Sequence, residues 1–145
     1  MSYSHILIAG FYYCWMLGLL SETLFQEVTM STRVFPSREF ELPQDGEPFR
    51  SIVKSTEDSA IIVWHVKPGQ TIQPHIHPYG QDTWTVLSGS GQYIFENSQE
   101  RKRICAGDIV VAERNEIHGV ENDGDVPFVF VSVVSPMAAG YELKN

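Results

Sequence analysis

Gly69-Gln70-Thr71-Ile72-Gln73-Pro74-His75-Ile76-His77-Pro78-Tyr79-Gly80-Gln81-Asp82-Thr83-Trp84-Thr85-Val86-Leu87-Ser88-Gly89 is the stretch from which the fold follows. Its second half, Thr83-Trp84-Thr85-Val86-Leu87, is β-branched and aromatic and reads as a strand. Ser88-Gly89-Ser90-Gly91 then turns the chain back into Gln92-Tyr93-Ile94-Phe95, which makes a hairpin. The first half is extended as well, but Pro74 cannot donate to a sheet ladder, so a bulge is predicted there. His75 and His77 lie two apart on this strand, and side chains alternate between faces, so both imidazoles point the same way.

Working outward, Ala60-Ile61-Ile62-Val63-Trp64-His65-Val66 is a buried strand stopped by the turn Lys67-Pro68-Gly69-Gln70. Downstream, residues 101–104, 108–112, 117–121 and 127–134 supply further strands, with Asn122-Asp123-Gly124-Asp125 as the loop before the last. Eight or nine short strands with turns about every 8 to 12 residues imply an all-β sandwich or barrel. No helical pattern of useful length interrupts them. A chain of 145 residues that is 43% hydrophobic supplies one sizeable core and one domain.

The first 29 residues differ from the rest. Residues 5–20 carry no formal charge, yet the run is shorter than the roughly 20 residues that cross a bilayer. No lysine or arginine precedes it, as a signal peptide would require. Three readings stay open: an anchor or export signal, a helix packed on the barrel or on a partner subunit, and an extension upstream of the true start. The last two are preferred, because Met30-Ser31-Thr32-Arg33-Val34-Phe35 resembles the opening of a domain. The barrel domain is therefore expected over residues 30–145, behind an apolar extension over 1–29, with no membrane association unless 5–20 is an anchor.

Eighteen acidic against 10 basic side chains give a formal charge of -8, which repels polyanions and argues against nucleic acid as a partner. The one basic run, Arg101-Lys102-Arg103, suits a solvated strand edge better than a phosphate site. Cys14 and Cys105 stand far apart in unlike contexts, so no disulfide framework or paired-cysteine metal site forms, and a reducing, cytoplasmic compartment is the simplest expectation. Cys105 is read as a small packed side chain rather than a nucleophile.

The histidine pair sits in a larger pattern: Gly69, five residues, His75-x-His77, four residues, Asp82, six residues, Gly89; then Gly107, ten residues, His118, three residues, Asn122. This resembles the two motifs of the cupin superfamily at their proper separation, over roughly residues 61–134. The resemblance implies a double-stranded β-helix, or jelly-roll, barrel that holds one divalent metal ion on His75, His77 and His118 with Asp82 as fourth ligand. Three positions depart from the pattern. Asp82 replaces the usual glutamate, Glu113 stands where proline is usual, and Asn115 stands where glycine is usual. Asparagine tolerates a left-handed backbone and can keep the turn. Asp82 is shorter by one methylene while metal–oxygen bonds stay near about 2.0–2.2 Å, so direct coordination and a three-histidine site both remain open. Gln81 faces the opposite side of the strand from Asp82 and is not the ligand expected.

Three neutral imidazoles and a carboxylate suit Fe, Mn, Ni, Co, Zn or Cu, and leave a net positive site with open positions that draws small anions. The resemblance implies either an enzyme of oxygenase, isomerase or lyase type acting on a small anionic or chelating substrate, or a small-molecule binding or sensory barrel without catalysis. Trp84, on the face of Asp82, and Tyr93, as a proton donor, are the candidate substrate-pocket residues. Tyr79, Phe95, Phe128 and Phe130 are more distant candidates whose ordinary role is packing. His65 is assigned to packing, its face undecided because its strand is apolar on both sides. Related single-domain cupins are commonly dimers, so a homodimer is expected.

Overall fold

The apolar strand Ala60–Val66 recruits neighbours on both sides because neither of its faces is polar enough to be left in water. Residues 33–95 and 100–144 are described by a computed structural model, in which Pro36–Asn145 forms one unit. The extension over 1–29, with His5 and Cys14, lies outside the described residues.

After a 3₁₀ turn at Ser37–Phe40 come ten strands: β1 (Arg50–Ser55), β2 (Ala60–Val66), β3 (Thr71–Ile76), β4 (Gln81–Ser88), β5 (Ser90–Phe95), β6 (Glu100–Cys105), β7 (Ile109–Ala112), β8 (His118–Glu121), β9 (Phe128–Ser135) and β10 (Glu142–Leu143). They form two five-stranded sheets, ordered β1-β2-β9-β4-β7 and β10-β3-β8-β5-β6. Every pairing is antiparallel, and the two sheets face each other as a jelly-roll barrel.

Register decides what points inward. Across the first sheet Trp64 pairs with Phe130 and Val86 pairs with Phe130 from the other side, while across the second Ile72 pairs with Val120 and Val120 with Tyr93. These rows meet in one core containing Val66, Trp84, Val120, Phe128 and Phe130. Val66, Val120, Phe128 and Phe130 are 0% exposed, and each such side chain contributes about 1.5–3 kcal/mol relative to exposure. The rings of Trp84 and Phe130 lie 4.5 Å apart and those of Phe128 and Phe130 lie 5.2 Å apart, so an aromatic column runs down the barrel. His65 falls on the opposite parity from Trp64 and Val66, on the outer face of β2, which settles its orientation.

Three local devices shape the end of the barrel where the histidines lie. The β3–β8 register slips between Ile72 and His75, where Pro74 interrupts the ladder, as the sequence predicts. Asn115 adopts φ 67°, so asparagine keeps the left-handed turn in place of glycine. Asn122 is fully buried and donates to the carbonyls of Val66 and Val126 at 2.9 Å each, pinning the loop that leads into β9. The asparagine of the second motif is thus a structural staple and not part of the site.

Candidate metal centre

His75 and His118 are direct cross-strand partners on β3 and β8, His77 follows β3 by one residue, and Asp82 comes from β4 in the opposing sheet. Their ligand atoms lie within 4.8 Å of one another, and all four side chains are buried. The four residues that the cupin resemblance implies as ligands are therefore brought together. Gln81 is exposed, and its amide donates to Thr83 Oγ1, outside the cluster.

Each imidazole is oriented by the backbone. His75 Nδ1 lies 2.8 Å from the Gln73 carbonyl and His118 Nδ1 lies 2.9 Å from the Glu116 carbonyl, while His77 Nδ1 meets the Gly140 carbonyl. A carbonyl only accepts, so Nδ1 carries a proton in all three, and in each ring when neutral Nε2 is left with its lone pair. His77 Nε2 is 3.8 Å and His118 Nε2 is 3.6 Å from Asp82 Oδ2, gaps that two bonds of about 2.0–2.2 Å to a shared ion span. His118 Nε2 is buried with no hydrogen-bond partner. An unpartnered acceptor in a dry site is costly unless something electrophilic binds it. The residues present fit a divalent transition metal: three preset Nε2 lone pairs and one carboxylate, converging from two sheets.

Asp82 is itself held on both oxygens. Ser132 Oγ donates to Oδ1 at 2.6 Å, and the Trp84 indole N–H donates to Oδ2 at 2.8 Å. Burial alone would raise the pKa of Asp82, but the nearby His118 and His77 rings and the hydrogen bonds from Ser132 and Trp84 outweigh it and hold the carboxyl well below the usual carboxylate range. Burial and the neighbouring His118 push His75 down to about 4, so it stays neutral. Burial also opposes charge on His77, but the Asp82 carboxylate and the Gly140 carbonyl prevail and raise its pKa.

The aromatic candidates divide. Trp84 serves the site by holding Asp82 and lies 5.8 Å from the His118 ring. Tyr93 stands edge-on to Trp84 at 5.4 Å, and burial followed by the charges of Glu116 and Asp82 raises its pKa, so the phenol keeps its proton. Phe95 pairs with His118 across the β5–β8 ladder. Phe128 and Phe130 are core, and Tyr79 is 67% exposed beneath the Arg114 guanidinium, away from the cluster.

Two residues of the site escaped the sequence reading. Ser132 lies in the valine-rich β9 and looks like one more strand residue. Tyr141 lies just before β10, with its ring 4.6 Å from that of His75 and 6.2 Å from that of His77, so the C-terminal segment lays an aromatic over the cluster. The pairing of Glu142 with Ile76 and Leu143 with His75, with the bonds of Tyr79 N–H to the Ala139 carbonyl and Lys144 N–H to the Pro74 carbonyl, brings it there. A cavity of about 710 Å³ opens between β5, β6 and β7, lined in part by Tyr93, Phe95 and Ile117 and by none of the four cluster residues.

A cupin-domain family model matches residues 62–134, about half of the chain, and the chain belongs to the cupin family. A conserved protein with a double-stranded β-helix domain from Klebsiella pneumoniae subsp. pneumoniae is 47% identical in sequence, with a TM-score of 0.77 over 79% of this chain and 99% of that one. Germin-like protein 5-1 of Oryza sativa subsp. japonica is 33% identical over 76 residues, 50% of this chain and 34% of its own length. The tetracenomycin polyketide synthase protein TcmJ of Streptomyces glaucescens is 29% identical over 78 residues, 54% of this chain and 51% of its own length. The matched part thus spans about a third to a half of these two curated relatives.

Proposed function

We propose that His75, His77 and His118 bind one divalent transition metal through Nε2, with Asp82 Oδ2 as the fourth ligand, and that the chain is an enzyme acting on a small anionic or chelating substrate. The observation that carries this reading is the buried His118 Nε2, unpartnered and aimed with two other preset imidazoles at one carboxylate. When bound, the metal would supply Lewis acidity or oxygen activation. The protein's own residues do the rest. Ser132 and Trp84 fix the carboxylate, and the carbonyls of Gln73, Glu116 and Gly140 fix the imidazoles. Tyr93, edge-on to Trp84, is the group we assign to proton donation, although burial raises its pKa and makes the phenol a weaker acid.

The test couples elemental analysis of the purified protein with an oxygen-consumption and product screen of small diketones, thiols and sugar acids. The proposal predicts one transition metal per chain, and turnover that disappears in His75→Ala together with the metal. Protein that takes up no transition metal, or activity unchanged in His75→Ala, contradicts it. Metal-dependent binding of a compound recovered chemically unaltered would favour a non-catalytic binding or sensory barrel instead.

We further propose a homodimer. The outer face of the first sheet is apolar along Ile61, Val131 and Val133 and remains exposed at Ile109 and Val111, which are 69% and 49% accessible. Among the described residues, no helix is long and apolar enough to cross a membrane.

A further inference from the structure

The four cluster side chains are between 0% and 7% exposed, and none of them lines the cavity between β5, β6 and β7, so the cluster is all but closed to solvent. A molecule acted on there needs a way in. On the interior side the buried Trp84 ring lies 5.8 Å from that of His118. Toward solvent the cover is Tyr141, which is 57% exposed while its ring lies 4.6 Å from that of His75 and 6.2 Å from that of His77. Parity sets this face, because Leu143 pairs with His75 and Tyr141 stands two residues earlier on the same side.

The backbone around Tyr141 is held on both sides. Before it, Ala139 is fully buried, its carbonyl accepts from the Tyr79 N–H at 2.8 Å, and its methyl fills the space that Gly80 leaves by having no Cβ. The Gly140 carbonyl then meets His77 Nδ1. After it, Glu142 and Leu143 pair with β3, and the Lys144 N–H donates to the Pro74 carbonyl at 2.9 Å. The Tyr141 side chain is bound less firmly. Among the described residues its hydroxyl makes no hydrogen bond, and its ring contacts are the two imidazoles. Exposed side chains change rotamer in picoseconds to nanoseconds, far faster than paired backbone rearranges. Turning the Tyr141 ring outward uncovers His75 while the Gly140 carbonyl stays on His77, so opening leaves the four ligands where they are.

We propose that Tyr141 gates the cluster: its ring, and not its hydroxyl, closes the way to His75 and His77, and a molecule reaches them only when the ring turns away. The inference rests on the reading of the cluster as a small-molecule site, yet the gate belongs to the metal-free chain. Its test is therefore run without metal.

Diethyl pyrocarbonate acylates the free nitrogen of a neutral imidazole, and peptide mapping by mass spectrometry reads each histidine separately. Metal-free wild type, Tyr141→Ala, Tyr141→Phe, Tyr141→Leu and Leu143→Ala are treated at neutral pH, with His65 on the outer face of β2 as the internal reference. His75 should react about three- to tenfold faster in Tyr141→Ala than in wild type, the factor by which a ring contact of this kind favours the closed rotamer. Tyr141→Phe should match wild type. So should Leu143→Ala, which alters the same strand and face but leaves the ring. Tyr141→Leu keeps an apolar cover without the flat ring; it should fall between wild type and Tyr141→Ala, and it decides the point if the alanine variant does not fold. Metal uptake by Tyr141→Ala should equal that of wild type, since no ligand is moved. Equal His75 reactivity in wild type and Tyr141→Ala, Tyr141→Phe reacting as Tyr141→Ala does, Leu143→Ala uncovering His75 as fully, or metal uptake lost in Tyr141→Ala alone overturns the proposal. Failure of wild type to take up metal bears on the metal reading and leaves the acylation result standing.

Discussion

Asp82 receives a hydrogen bond on each oxygen, from Ser132 and from Trp84, so the carboxylate is fixed before any ion arrives. Removing the Ser132 hydroxyl leaves Oδ1 buried and unpaired, which costs about 1–3 kcal/mol. Ser132→Ala should lower the stability of the metal-free protein to that extent in urea denaturation, and should weaken metal binding by about 10–100-fold in calorimetric titration. His75 gives the pH prediction. Its folded pKa, about 4, lies below the ordinary 6.5, so between those values the unfolded chain binds the extra proton. The stability it contributes is present above pH 6.5 and is lost as pH falls toward 4. Metal-free wild type should therefore unfold at progressively lower temperature across that window, and His75→Gln should show a flatter dependence by calorimetry. An equal slope in both proteins would contradict the assignment. His75 and His77 were legible because parity puts them on one face of a strand, and His118 only through the resemblance to the cupin motifs. Ser132 was not, because its link to Asp82 spans 50 residues of sequence and arises only when β9 pairs with β4.

At the scale of elements, the turn after β4 was readable but the hairpin expected from it does not form: β4 pairs with β7 and β9 while β5 pairs with β6 and β8, so the chain crosses from one sheet to the other at Gly89, which takes φ 72° and where a side chain would collide with the Pro127 carbonyl. The short β10 was not readable, because two residues carry no periodicity, and its pairing with β3 depends on the whole barrel being formed. Yet β10 is where the site is completed. Gly140 adopts φ 77°, and a Cβ there would stand 2.9 Å from Pro78 Cγ, while its carbonyl fixes the His77 ring. Gly140→Ala should cost about 1–2 kcal/mol from the left-handed backbone alone. Because the same change displaces the carbonyl partner of His77, metal affinity should fall with it; a variant that loses stability but binds metal as wild type does would show that β10 is only a structural tail. Strand β1 was also missed, since Arg50-Ser51-Ile52-Val53-Lys54-Ser55 mixes charge with β-branched residues and becomes a strand only beside β2.

At the scale of the molecule, two sheets supply complementary halves of one site: histidines from β3 and β8, and a carboxylate with its supports from β4 and β9. A barrel that opens therefore loses the cluster as a unit, and bound metal should raise the unfolding temperature in proportion to its affinity. Exposed Ile109 and Val111 on the outer face of the first sheet favour association, and sedimentation velocity at micromolar concentration should return the mass of a dimer, a monomer being the contrary result. The most direct measurement is a titration of metal-free protein with Co²⁺, followed by its visible absorption, for wild type and His118→Ala. Wild type should saturate at one equivalent per chain with ligand-field bands of an imidazole-rich site, and His118→Ala should give neither the bands nor the break at one equivalent. Wild type without bands, or a variant indistinguishable from it, would contradict the metal centre on which the account is built.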